Sequence, residues 1–157
     1  MVDDWFTGAG NYVTFEEIMA SVKKHSRSGG TVYIGSDSFL HKRECVFSTA
    51  ICLRNAGGQK GGRYFIKRTL FEAEKFSILM VRIMAEVQNS IDVGVRVLHY
   101  CPKINIELHL DVSSSKKNTK TSKFSDMLIG YTKGNGFDCK IKPDAFAASS
   151  IADKHSK

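Results

Sequence analysis

The stretch TVYIGSDS, residues 31–38, decides the fold together with INIELHLDV, residues 104–112. Successive side chains of a β-strand point to opposite faces, so a strand shows a period of two. The second stretch alternates aliphatic and polar residues with this period, and the first places its aliphatic residues on one face and Asp37 on the other. Both stretches are predicted to be strands, and each has an aspartate, Asp37 or Asp111, near its carboxyl end.

The rest of the chain predicts an α/β protein with the order helix, then β-β-β-α-β-α-β-α. The predicted helices are Thr14–His25, Glu74–Ile91, Thr119–Lys133 and Asp144–His155, and the other strands are Cys45–Leu53, Arg63–Phe71 and Phe137–Ile141. Gly57, Gly58, Gly61 and Gly62 predict a hairpin loop, and Val93–Tyr100 is predicted to be irregular and extended. The first three strands form an antiparallel meander whose third strand lies at the edge. Right-handed crossovers then place the fourth strand parallel to the first, in a mixed five-stranded sheet flanked by helices.

The length and composition of the chain indicate what kind of protein it is. The 157 residues are 42% hydrophobic and 25% charged, which is typical of a single globular domain. Apolar runs fall short of the ~20 residues of a membrane helix, and Met1–Thr7 lacks the basic start of a secretory signal. We therefore expect a cytoplasmic location and no membrane partner. The four cysteines form no C-x-x-C pair, so no zinc site is predicted. A net charge of +7 favours polyanionic partners.

The two aspartates define the candidate site. Parallel neighbouring strands would place Asp37 and Asp111 ~5 Å apart, at the edge where open α/β sheets bind ligands. Two adjacent carboxylates repel each other unless a cation or a proton lies between them. Carboxylates are the protein ligands that Mg²⁺ prefers, and paired ions ~4 Å apart support phosphodiester hydrolysis. The alternative is that Asp37 caps a turn and Asp111 merely ends a strand.

Three motifs carry a resemblance to a known family: Gly35-Ser36-Asp37-Ser38, His109-Leu110-Asp111, and the run KIKPDAFAASS at residues 140–150. Together with the order of elements, they resemble the YkuK-type bacterial family of the ribonuclease-H-like superfamily. The resemblance implies a ribonuclease-H-like domain over residues 31–157, preceded by an N-terminal helical extension over residues 1–30. It also implies a nuclease that acts on RNA, RNA–DNA hybrid or structured DNA, with two Mg²⁺ or Mn²⁺ ions as cofactors.

Nucleases of this superfamily use four acids, and the resemblance assigns them to Asp37, Glu86, Asp111 and Asp144. Asp37, Asp111 and Asp144 would bind the metal. Glu74 is the alternate for the helix acid and Asp153 for the fourth acid. Two structural alternatives stay open: Glu86 as a solvated helix residue paired with Arg82, and Asp144 as a helix N-cap.

Several further residues are candidates for contact with nucleic acid. Lys116, Lys117 and Lys120 follow Asp111 in a polar loop and would hold backbone phosphates without reading sequence. His109 precedes Asp111 by two residues and Ser38 directly follows Asp37, so both could contact a phosphate bound near these aspartates. The alternatives are a solvated lysine-rich helix start and an interior histidine with satisfied hydrogen bonds.

Two other functions compete with the nuclease. The first is a non-catalytic nucleic-acid-binding module that keeps the fold. The second is an actin-like phosphotransferase, because Gly35–Ser38 faintly resembles its phosphate loop. The chain is too short to supply the second domain that such phosphotransferases need.

Overall fold

A mixed β-sheet runs through the computed structural model, which describes residues 4–54 and 62–157. In chain order the strands are β1 (Trp5–Thr7), β2 (Tyr12–Val13), β3 (Val32–His41), β4 (Glu44–Arg54), β5 (Gly62–Glu72), β6 (Ile106–His109) and β7 (Asp138–Lys140). Within the described residues these seven strands form one sheet, in the order β2-β1-β5-β4-β3-β6-β7. The predicted glycine loop falls mostly on residues 55–61, which lie outside the described residues.

The centre of the sheet follows the predicted topology. β3, β4 and β5 pair antiparallel as a meander, while β6 lies parallel to β3 and β7 lies parallel to β6. The predicted mixed sheet is confirmed, and the five predicted strands correspond to β3–β7, to which β1 and β2 add two more. Gly35 stands beside His109 in the β3–β6 register. Asp37 and Asp111 each follow two residues later, so the two aspartates lie on neighbouring segments at the same end of the sheet.

β3 continues well beyond the stretch that suggested a phosphate loop. Asp37 pairs with Ser48 of β4, and the pairing extends to His41 opposite Glu44. Gly35–Ser38 is therefore strand rather than loop, which removes the feature that favoured the actin-like phosphotransferase.

A short hairpin at the N-terminus covers the predicted sheet edge. Trp5 of β1 lies opposite Lys67 of β5 and opposite Val13 of β2. The prediction of β5 as an edge strand is therefore wrong. Strands of three and two residues are too short to show a period of two, and the fully buried Trp5 side chain anchors the hairpin instead.

The α-helices of the described chain are α1 (Phe15–Arg27), α2 (Leu79–Tyr100), α3 (Ser125–Gly134) and α4 (Asp153–Ser156). α1 begins with the predicted capping box. The Thr14 hydroxyl accepts a hydrogen bond from the Glu17 N–H at 3.1 Å, and the Glu17 carboxylate accepts one from the Thr14 N–H at 3.2 Å. These bonds satisfy backbone donors that the helix cannot pair itself.

The C-terminal half of α2 differs from the prediction. Val93–Tyr100 is helical, so the expected irregular segment is wrong. Valine and glycine have low helix propensity, but tertiary packing decides here. A Cβ atom at Gly94 would lie 2.8 Å from Cζ of Phe137, so the glycine permits close contact between α2 and this side chain.

Helices cover both faces of the sheet. α1, α2 and α3 contribute to the larger hydrophobic core on one face. On the other face, a π-helical segment, Ala147–Ala152, continues into α4, and we call the two together the C-terminal helix. It packs so closely on β3 that a Cβ atom at Gly35 would lie 2.4 Å from the backbone nitrogen of Ala148. Among the described helices, none is both long and apolar enough to cross a membrane.

Candidate metal centre

Three carboxyl groups meet at the carboxyl ends of β3 and β6. Asp37 belongs to β3, Asp111 follows β6, and Glu86 lies within α2. Each offers one oxygen atom, and the three atoms all lie within 4.8 Å of one another. Asp37 and Glu86 are buried and Asp111 is half-buried. We call this group the carboxylate cluster; it unites three of the four predicted acids.

Hydroxyl groups between β3 and α2 hold the glutamate in place. The Ser38 hydroxyl donates a hydrogen bond to the Glu86 carboxylate. One helical turn later, the Ser90 hydroxyl lies 2.7 Å from that of Ser36, which in turn lies 2.9 Å from that of Thr49. These buried hydroxyl groups link α2 to β3 and β4 and so fix the position of Glu86 relative to the sheet.

Of the two candidate helix acids, Glu86 lies in the carboxylate cluster and Glu74 does not. Glu74 is exposed in the short 3₁₀ turn that precedes α2, outside the carboxylate cluster. Glu86 is only 7% exposed, so the alternative of a solvated helix residue is wrong. The Arg82 guanidinium donates to the carbonyl oxygen of Phe76 at 3.3 Å.

The C-terminal helix brings a further acid to the opposite side of Asp37. The Ser156 hydroxyl donates to Oδ2 of Asp37 at 3.1 Å, and the carboxyl group of Asp153 lies close enough to that of Asp37 for each to shift the pKa of the other. Asp144 is exposed and lies outside the carboxylate cluster, before the C-terminal helix begins. The structure therefore brings the alternate, Asp153, to the cluster in place of Asp144.

Burial and mutual repulsion dominate the electrostatics of the cluster. Burial, with the neighbouring Asp111 carboxyl group, raises the pKa of Asp37 to about 8. Burial also raises the pKa of Glu86 well above its usual range, although the Ser38 hydrogen bond opposes the shift. Burial raises the pKa of Asp153 too, but hydrogen bonds to Lys157 and Asp37 outweigh it, and its pKa is lowered. Burial therefore favours the protonated forms of Asp37 and Glu86 when no cation is bound.

Asp111 has one oxygen that fits a metal ligand. Its Oδ1 atom is buried and has no hydrogen-bond partner among the described residues. Lys142 Nζ lies 3.1 Å away, which makes an ion pair without hydrogen-bond geometry, and the lysine side chain is 43% exposed. A buried acceptor without a donor is costly. Three clustered carboxylate oxygens are the donor set that Mg²⁺ and Mn²⁺ prefer, so the residues present fit such an ion.

His109 has a structural environment. Its Nε2 lies 3.0 Å from Oε1 of Glu107, and its Nδ1 accepts the Ala147 N–H at 3.1 Å. The rings of Tyr33 and Phe146 pack against it, and it is 1% exposed. Both ring nitrogens have a hydrogen-bond partner and the side chain is shielded from solvent. His109 is therefore an interior histidine with satisfied hydrogen bonds, and its contact with nucleic acid is not supported.

The predicted lysine loop lies where it was expected. Residues 113–121 follow Asp111, and the Thr121 hydroxyl accepts the N–H of Ser113 at 3.0 Å, which closes the loop. Lys116, Lys117 and Lys120 are all exposed in it. α3 starts only at Ser125, so these lysines belong to a loop and not to the predicted helix start.

Two residues that touch the cluster escaped the sequence analysis. Lys142 was given no role of its own, and Ser156 gave no motif. The position of Lys142 within the long family-like run was the available signal. Nothing in the sequence pointed to Ser156.

The chain was compared with known proteins. A family model described as Ribonuclease H-like matches residues 13–157. The chain is also similar to a protein of Bacillus subtilis (strain 168) named "Uncharacterized protein YkuK", with 27% identity over 164 residues that cover 92% of each chain. No solved structure gives a significant match. The predicted resemblance to a YkuK-type, ribonuclease-H-like protein is confirmed.

Proposed function

The chain belongs to the ribonuclease H-like family, and from this premise we propose that it is a metal-dependent nuclease. Its reaction is hydrolysis of phosphodiester bonds in RNA, an RNA–DNA hybrid or structured DNA.

The observation that carries the proposal is the carboxylate cluster. Asp37, Glu86 and Asp111 come from three separate elements and place oxygens within 4.8 Å of one another in a mostly buried site. Buried carboxyl groups so close together destabilise a fold unless a cation or protons compensate them. A fold gains nothing in stability from collecting them, so a cation-binding role accounts for the arrangement.

Each acid has its own position in the proposed site. Asp37, Glu86 and Asp111 would hold the metal, and Asp153 would support Asp37 from the C-terminal helix. When bound, such ions activate a water molecule and stabilise the leaving oxygen of a phosphodiester. Ser38 orients the Glu86 carboxylate and Ser156 orients that of Asp37 through the hydrogen bonds described above.

The lysine loop supplies affinity for the backbone. Lys116, Lys117 and Lys120 are exposed in the loop that follows Asp111, and we assign backbone phosphate contacts to them. Such contacts position a strand without reading its sequence. The net charge of +7 adds a non-specific attraction that weakens as salt is raised.

A cleavage panel tests the proposal. Labelled single strands, duplexes, RNA–DNA hybrids and four-way junctions are incubated with Mg²⁺, Mn²⁺ or EDTA. We expect at least one substrate class to be cut with metal and none in EDTA. Asp37→Asn should lower cleavage by about 100-fold or more while keeping nucleic-acid affinity. Asp138→Asn, which changes an exposed aspartate of β7, is the matched control and should leave the rate unchanged.

The panel also separates the competing function. Binding without cleavage of any substrate, and without an effect of metal on affinity, would replace the nuclease by the non-catalytic binding module.

A further inference from the structure

An aromatic pair continues β3 beyond the carboxylate cluster. Phe39 and His41 stack with ring centroids 6.1 Å apart and planes inclined by 18°. Both alternate with Asp37 on the strand, so they share its face of the sheet, and Phe39 lies about 7 Å further along. The C-terminal helix reaches this face at Asp37 through the Ser156 hydroxyl. Phe39 is half-buried and His41 is exposed.

Apolar side chains extend this surface across the sheet. Phe39 stands opposite Val46 of β4, and Val46 stands opposite Leu70 of β5, so the three share one face. Leu70 is 57% exposed. We call the surface formed by the rings of Phe39 and His41 and the neighbouring Leu70 side chain the aromatic strip. An apolar surface left open beside a polar site is typical of binding surfaces.

The charges around the strip favour an anionic ligand that carries flat apolar groups. Arg68 is exposed and lies in the same cross-strand row as Asp37, through Ser48, about 10 Å away. Lys42 and Arg43 are exposed in the turn between β3 and β4.

Two acidic residues lie at the end of the strip that is remote from Asp37. Glu44 of β4 and Glu72 of β5 are cross-strand neighbours there. Arg68 therefore lies beside the path between the strip and the carboxylate cluster, whereas Lys42 and Arg43 lie with these two acids at the far end.

We propose that the aromatic strip binds an unpaired nucleobase, stacked on Phe39, next to the nucleotide whose phosphate lies at the carboxylate cluster. Only the position of the neighbouring phosphate at the carboxylate cluster rests on the proposed function. The inference specifies the substrate as a strand with unpaired nucleotides. A duplex keeps its bases stacked on one another and cannot offer a free face to Phe39. Stacking on an aromatic ring tolerates any base, so the preference is for strandedness and not for sequence.

Binding without cleavage tests this inference separately from the nuclease. Fluorescein-labelled 15-nucleotide single strands, in RNA and DNA form, and a blunt DNA duplex are titrated by anisotropy in EDTA. The proteins are the wild type, Phe39→Ala, Phe39→Leu and Phe39→Trp. Phe39→Leu keeps apolar bulk but has no aromatic face, and a thermal melt of each variant verifies folding. Tyr12→Ala is the control, because Tyr12 is an aromatic residue of β2 that is 62% exposed.

We expect Phe39→Leu and Phe39→Ala to lose about fivefold or more in affinity for single strands, as for one lost stacked base. Phe39→Trp should keep the affinity, Tyr12→Ala should stay within about twofold of the wild type, and duplex affinity should not change. Comparable losses with RNA and DNA would identify the base as the shared ligand. Equal affinity of wild type and Phe39→Leu for single strands, or no single-strand binding by the wild type, overturns the inference. A positive result without cleavage in the panel would refute the nuclease and keep the stacking site.

Discussion

Lys142 Nζ lies 3.1 Å from Oδ1 of Asp111, so an ammonium group of the chain itself contacts the carboxylate cluster. The lysine follows β7, which lies parallel beside β6, and this pairing brings it to the acid. It offsets part of the negative charge of three neighbouring carboxyl groups. Its partial exposure gives it room to move away when another cation binds.

Replacement of Lys142 should strengthen metal binding. Lys142→Met removes a positive charge that repels a divalent ion at the same carboxylate. We expect the Kd for Mn²⁺, measured by isothermal titration calorimetry, to fall by about fivefold, as for ~1 kcal/mol between unit charges 4 Å apart in water. Lys140→Met, at an exposed position on the same segment, should change the Kd by less than about twofold. Unchanged or weaker Mn²⁺ binding by Lys142→Met would contradict competition between the two cations.

The two candidate helix acids give a matched pair. Glu86→Gln removes a buried charge that we place at the metal, while Glu74→Gln changes an exposed glutamate before α2. We expect kcat/KM for the best substrate of the cleavage panel to fall by about 100-fold in the first and to stay within about twofold in the second. Equal effects of the two substitutions would mean that Glu86 does not act at the site.

The fourth acid can be tested in the same way. Asp153→Asn removes the carboxylate that interacts with the Asp37 carboxyl group, whereas Asp144→Asn removes an exposed one. We expect Asp153→Asn to weaken Mn²⁺ binding by about tenfold, and Asp144→Asn to leave it unchanged. A larger loss for Asp144→Asn would restore the assignment that the family resemblance implies.

The metal-free protein should lose stability as pH rises. Because burial raises the pKa of Asp37 from 3.8 to about 8, the folded state keeps this proton while the unfolded state releases it near pH 4. Its stabilising contribution is complete below pH 4 and is lost as pH rises towards 8, at up to ~1.4 kcal/mol per pH unit.

The free energy of unfolding, measured with urea in EDTA between pH 5 and 8, should therefore fall more steeply in the wild type than in Asp37→Asn. Saturating Mg²⁺ replaces the proton and should remove most of the difference. Parallel pH curves for the two proteins would show that Asp37 is ionised in the metal-free fold.

The centre of the sheet was predictable because β3 and β4 are long and the stretch that contains β6 alternates clearly. Residues 104–112 alternate clearly, and β3 and β4 span ten and eleven residues. Once β3 and the fourth predicted strand are parallel neighbours, the meeting of Asp37 and Asp111 follows from topology.

The remaining features depend on tertiary packing. The hairpin at Trp5 has strands of three and two residues, and it forms because the indole is buried against the core. The second half of α2 is rich in valine and includes Gly94, yet its contact with Phe137 keeps it helical. The C-terminal helix begins after Asp144, and this late start brings Asp153 to Asp37. Local propensity contains none of this information.

The most direct test of the account is the anomalous difference density of protein crystals soaked in Mn²⁺. The account predicts a peak about 2.1–2.4 Å from carboxylate oxygens of Asp37 and Asp111, with Glu86 in the same coordination shell. The peak should be absent from equally soaked crystals of Asp37→Asn. A peak at another place, or none at a millimolar concentration of Mn²⁺, would contradict the metal centre and with it the proposed nuclease.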